Sequence, residues 1–172
     1  MAYRVVALAL CLAGCNSALE VSAFRAGIAL RFDDTGCGIG YSGDRGAGPS
    51  AVDITCPANL RPRPGRPTLH ISTPLVTPPG ELPLRDEHFR QPGYQLGQFV
   101  VVTYEAGGRT ITCDPRQATG ALIYSSVPRP GTGGRLSGRF SDQAALLSCH
   151  TPQGPDGSSP LTLQGFFDLP AP

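Results

Sequence analysis

Apolar and polar residues alternate one by one along most of the chain, over segments too short for a helix. In AVDITC, residues 51–56, Val52, Ile54 and Cys56 share one face while Asp53 and Thr55 take the other. The parity recurs in TLHIST with Leu69 and Ile71 inward, in RTITC and in GRLSGRF. In LTLQGFFDL, Leu161, Leu163, Phe167 and Leu169 oppose Thr162, Gln164 and Asp168. A period of two with one apolar face marks strands that bury one side and wet the other. The clearest pair is FVVVTYEAGGRTITC, where Ala106-Gly107-Gly108 supplies residues tolerant of positive φ between two alternating runs, so a hairpin is expected. LEVSAF and IALRF are expected to be the first strands, with a helical turn or two over residues 18–27 as the alternative.

No repeat period and no amphipathic helix interrupts this pattern. The expected architecture is all-β, about eight to ten short antiparallel strands closing as a β-sandwich, with a barrel as the less favoured closure. Residues 57–95 hold RPRPGRP and TPPGELP, and proline removes ladder donors, so this stretch reads as a Pro-rich excursion interrupted by a strand near His70. HTPQGPDGSSP, from His150 to Pro160, reads as a second loop of the same kind.

The exception to alternation is the opening MAYRVVALALCLAGCNSALE. Arg4 precedes an unbroken apolar run from Val5 to Ala13, which is too short to span a bilayer of about 30 Å. A single basic residue, a short apolar core and a small pair, Ala13-Gly14, read as a removable export signal over residues 1–14.

Its end, Leu12-Ala13-Gly14-Cys15, resembles the lipobox of bacterial lipoprotein precursors. The resemblance covers residues 1–15 and implies that Cys15 takes a diacylglycerol on its sulfur and becomes the new N-terminus. Two or three acyl chains, at about 0.8 kcal/mol per buried methylene, make such an anchor effectively permanent. The implied partners are the membrane, through the N-terminal lipid, and the lipoprotein processing and sorting machinery. Asn16 stands where an aspartate would favour inner-membrane retention, so the resemblance points to the outer membrane of a bacterial envelope. Residues 15–18 then form a lipidated tether and residues 19–172 a single β-rich domain.

Composition narrows the readings further. Fourteen basic residues, every one an arginine, face thirteen acidic ones, and loss of Arg4 with the signal balances them, which leaves no basic surplus for a nucleic-acid partner. Of six cysteines, Cys11 leaves with the signal and Cys15 carries lipid, so Cys37, Cys56, Cys113 and Cys149 remain. An even remainder in an exported chain argues for two disulfides, and no two of the four lie close enough for a zinc knuckle. Cys37–Cys56 with Cys113–Cys149 keeps both loops local and is the expected pairing. Three of these cysteines fall on the inward parity, so the bridges are expected inside the core, pinning the layers together.

Candidate chemistry is sparse, and no cofactor or metal is expected. Gly38, Gly40 and Gly43 have the spacing of a dinucleotide-binding turn but are followed by a loop composition rather than a helix. Ser42 in GYSGD lacks the second glycine of a nucleophile elbow. Asp33-Asp34 is a single acidic pair, too little for a calcium loop. Arg61, Arg63 and Arg66, spaced along an extended proline segment, could grip phosphate in bidentate forks, against the plainer reading of a stiff, soluble loop. The same segment could also serve as a partner-docking arm.

The function expected is therefore that of a lipid-anchored, non-enzymatic binding or structural module. The alternative is a metal-assisted envelope hydrolase using Asp86, Glu87 and His88 with a distant partner such as His70, which would require histidines and a carboxylate to converge in one pocket.

Overall fold

The computed structural model describes residues 17–43, 49, 51–57, 66–75, 79–84, 99–141, 145–156 and 159–172. Thirteen strands run through them: β1 (Ala18–Arg25), β2 (Ile28–Asp33), β3 (Gly38–Ser42), β4 (Ala51–Cys56), β5 (Thr68–Pro74), β6 (Gly80–Pro83), β7 (Phe99–Ala106), β8 (Arg109–Thr119), β9 (Ala121–Ser126), β10 (Arg135–Phe140), β11 (Ala145–Thr151), β12 (Gly154–Pro155) and β13 (Leu161–Pro170). The only helical element among them is one 3₁₀ turn, Asp34–Gly36. Every strand pairing is antiparallel. The strands beyond the expected number include pieces too short to leave a periodic signal, such as the two-residue β12 and the four-residue β6.

One hydrogen-bonded path orders the strands β3-β4-β5-β7-β8-β11-β13-β10-β9-β6, with β2 and β1 joining at β13. The hinge of the path is β13. Its Leu161–Leu163 pairs with β11, its Phe166–Pro170 with β10, and β1 runs along Thr162–Asp168. Gly165, between the two partners, has φ +133, and a Cβ there would lie 2.0 Å from the carbonyl oxygen of Glu20. Only glycine fits this close approach of two backbones.

The sheet folds back on itself as a sandwich-like pair of layers, not closed into a barrel. Tyr124 of β9 and Thr73 of β5, both buried, share a hydrogen bond between their hydroxyls, and Arg25 of β1 reaches Tyr104 of β7. One apolar cluster lies between, including Val21, Ile54, Leu69, Val102, Leu122, Leu147 and Leu163, each fully buried. The inward parity of Val52, Ile54 and Cys56, of Leu69 and Ile71, and of Leu161, Leu163, Phe167 and Leu169 is as the sequence leads one to expect.

The hairpin β7–β8 turns at Gly107 (φ 58) and Gly108 (φ 73) between the paired residues Ala106 and Arg109. Positive φ at both central positions matches the twist of the flanking strands. The β1–β2 hairpin does the same at Ala26 (φ 41) and Gly27 (φ 84), so the first strands are strands and residues 18–27 form no helical turn.

Both disulfides join the expected partners, Cys37–Cys56 and Cys113–Cys149. They do not pin one layer to the other. Cys113 and Cys149 face each other directly in the β8–β11 register, and Cys37 and Cys56 continue the β3–β4 register one pair beyond Gly38 and Thr55. Each bridge is a cross-strand clasp within one sheet, because neighbouring strands bring Cα atoms within disulfide reach while packed layers stand about 10 Å apart.

The Pro-rich stretch contains more structure than its composition suggests. β5 is an interior strand, paired with β4 on one edge and β7 on the other, and β6 pairs with β9. Pro67 lies just before β5 and Pro74 is its last residue, so Thr68–Thr73 keeps every backbone donor the ladder needs.

A cleft beside the Cys37–Cys56 bridge

Of the residues singled out from sequence, Cys15, Arg61, Arg63, Asp86, Glu87 and His88 lie outside the described residues. Arg66 lies within them, immediately before Pro67 and β5, and lines a cleft of about 230 Å³. The end of β2 and the 3₁₀ turn contribute Arg31, Phe32, Asp33, Thr35 and Gly36 to its lining. Cys37, Cys56 and Pro57 also line it, with the Cys56–Pro57 peptide bond in cis.

Local chemistry explains the turn. Asp33 caps the turn, accepting from the backbone N–H of Thr35 at 3.1 Å and from the Thr35 hydroxyl. Asp34 accepts from the hydroxyl of Ser17 at 3.0 Å, which ties the start of the described chain to the same turn. The Asp33-Asp34 pair is therefore spent on capping and tethering, and no group of three or more potential metal ligands occurs among the described residues.

Alternation along β2 buries Phe32 and leaves Arg31 exposed, and Arg66 is exposed as well. Among the described residues, neither guanidinium pairs with a carboxylate. Arg25 and Arg135 contrast with them. Arg25 is 5% exposed, donating through Nε to the Ser159 carbonyl at 2.7 Å and through Nη1 to Tyr104 Oη at 2.9 Å, with Asp156 Oδ2 at 2.9 Å. Burial pulls its pKa down, but the bonds to Tyr104 and Asp156 outweigh that and hold it above its ordinary value. Arg135 Nε lies 2.7 Å from Asp168 Oδ1. Its hydrogen bond, joined by that of Ser137, holds the Asp168 carboxyl below the usual range.

The two described histidines, His70 and His150, do not converge. His70 Nε2 lies 3.2 Å from Asp53 Oδ1 across β4 and β5, and His150 Nδ1 lies 3.5 Å from Asp114 Oδ2 across β8 and β11. Strand β7 runs between β5 and β8, so the two pairs stand on separate parts of the sheet. Burial works to raise the Asp53 pKa, but hydrogen bonds from His70, Ser42 and Ser72 prevail and lower it. Ser42 therefore serves Asp53 as a donor. Gly38 and Gly40 belong to β3, where Gly40 pairs with Asp53, rather than to a turn that opens a helix.

A second depression, of about 390 Å³, lies on β9, β10 and β13, where the partly exposed Phe166 borders Ser125, Arg139 and Asp168. It forms beside a bulge: Ser137 pairs with Ser126 and Gly138 with Tyr124, leaving Ser125 out of register.

Sequence reasoning missed Arg31 and Arg25. Arg25 carried a readable signal, since it shares the inward parity of Leu19, Val21 and Ala23. Arg31 carried none, because an exposed arginine on a strand becomes part of a site only through what the fold sets opposite it. Compared with family models, curated proteins and solved structures, the chain matches none.

Proposed function

We propose that this chain is a bacterial envelope lipoprotein, anchored through acyl chains on Cys15, whose β-sandwich serves as a non-enzymatic binding or structural module. The observation that carries the reading is Leu12-Ala13-Gly14-Cys15 at the end of a short apolar run, directly before a domain whose first strand begins at Ala18. Cysteine is the residue able to form the thioether at that place. Two disulfides support an oxidising compartment. Asn16 after the cysteine favours the outer membrane.

The binding module in this reading is the Arg31–Arg66 cleft, whose two guanidinium groups suit an anionic ligand. The test is intact mass and cell fractionation of the wild type and of Cys15→Ala. The wild type is expected to carry acyl mass on its first residue and to sediment with membranes, and the variant to lose both. An undiminished membrane-bound pool of Cys15→Ala would defeat the reading.

A further inference from the structure

The cleft and the proposed anchor meet at one turn. Ser17 is hydrogen-bonded to Asp34, and residues 33–37 on either side of that aspartate form the cleft wall. Two peptide steps, which reach at most about 7 Å, join Cys15 to Ser17. An acyl group on Cys15 therefore holds this rim of the sandwich at the headgroup layer. We infer that the Arg31–Arg66 cleft grips the phosphodiester of an anionic lipid in the very membrane that holds the anchor, an inference that rests on the lipoprotein reading.

Charge and geometry set the ligand class. The cleft presents two cations, Arg31 and Arg66, and one carboxylate, Asp33, whose oxygen is occupied by Thr35. Its balance of one net positive charge matches the single negative charge of a phosphodiester better than a dianionic free phosphate. Each guanidinium offers a planar fork to phosphate oxygens. The cleft volume, equivalent to several water molecules at about 30 Å³ each, admits a phosphate with its two ester arms leaving towards the bilayer. Besides holding the lipid, the contact fixes the tilt of the domain on its short tether, since one bond to a flexible N-terminus leaves the sandwich free to rotate.

The experiment uses the purified mature protein in two sets of vesicles, phosphatidylcholine alone and phosphatidylcholine mixed with phosphatidylglycerol, read by flotation and by amide exchange of residues 31–37 and 66. With phosphatidylglycerol these amides are expected to exchange about tenfold more slowly than with phosphatidylcholine. In Arg31→Gln/Arg66→Gln, with melting behaviour unchanged, the difference is expected to vanish. Equal exchange in both vesicles for the wild type overturns the inference while flotation still supports the anchor. Inorganic phosphate giving the same protection on phosphatidylcholine vesicles also overturns it, by making the cleft a site for free anions. Protein that does not float at all, and lacks acyl mass, overturns the lipoprotein reading and this inference with it.

Discussion

Gly165 shows how much one residue decides. A methyl group there would meet the Glu20 carbonyl at 2.0 Å and the Val21 Cα at 2.9 Å, on a backbone with φ +133 that side chains avoid. Gly165→Ala is expected to lower stability by about 3 kcal/mol, read as a shift in the denaturant midpoint. Arg25 is the second such residue. Arg25→Met leaves the buried Tyr104 hydroxyl and the Asp156 carboxylate without this partner. The expected loss is about 2 kcal/mol, below the range for fully buried pairs because the Asp156 side chain is 27% exposed. Adding Asp156→Asn should recover part of it, and a double variant no better than the single one would show the ion pair to be incidental. The depressed Asp53 carboxyl adds a pH dependence. A carboxyl whose folded pKa lies below its unfolded value contributes stability above the unfolded pKa and loses it as pH falls through the folded one. Denaturant midpoints measured from about pH 5 down to about pH 2.5 should therefore fall more steeply in the wild type than in Asp53→Asn.

At the scale of elements, two clasps and two turns do most of the registering. Each disulfide closes a loop, of 19 residues for Cys37–Cys56 and 36 for Cys113–Cys149. In the chain-entropy account those loops contribute about 3 and about 4 kcal/mol respectively. Reduction should consequently lower the melting temperature, with Cys113→Ala/Cys149→Ala the more damaging pair. The reverse order would show that the longer loop is already restrained when unfolded. The β1–β2 hairpin places Ala26 at φ 41, where a side chain is unfavourable. Ala26→Asn would give the Asn-Gly sequence preferred by this turn and is expected to add about 0.5 kcal/mol. The β7–β8 hairpin was readable from Gly107-Gly108, whereas Ala26-Gly27 was not, because alanine gives no sign of positive φ. β5 was likewise readable from the alternation of TLHIST despite the prolines at its borders, but its interior place between β4 and β7 was not, because pairing depends on distant segments.

For the whole molecule, β13 is the seam. It pairs on both edges and carries β1, β10 and β11, while β3, β6 and β2 end the hydrogen-bonded path. Amide exchange should thus be slowest in Leu163–Phe167 and fastest in β3 and β6, since edge strands open without breaking the sandwich. Equal protection across all of them would mean the layers open only together. The proposed anchor belongs to this scale too. In that proposal a lipid on Cys15 would hold one rim of the molecule at the bilayer, the rim where Ser17 donates to Asp34.

The sequence by itself determined the class of the fold, and it favoured one of three possible pairings of its cysteines, the one the structure shows. Period-two alternation is written in consecutive residues, and local loops restrict which thiols can meet. It also carries Leu12-Ala13-Gly14-Cys15, the motif on which the proposed anchor rests and which can be read without the fold. Only tertiary structure decided that the bridges lie between neighbouring strands rather than between layers, that β13 pairs with β1, β10 and β11, and that Arg31 and Arg66 line one cleft. Those facts depend on which strands become neighbours. Neighbourhood is set by the packing of distant segments around one core, and no local pattern encodes it.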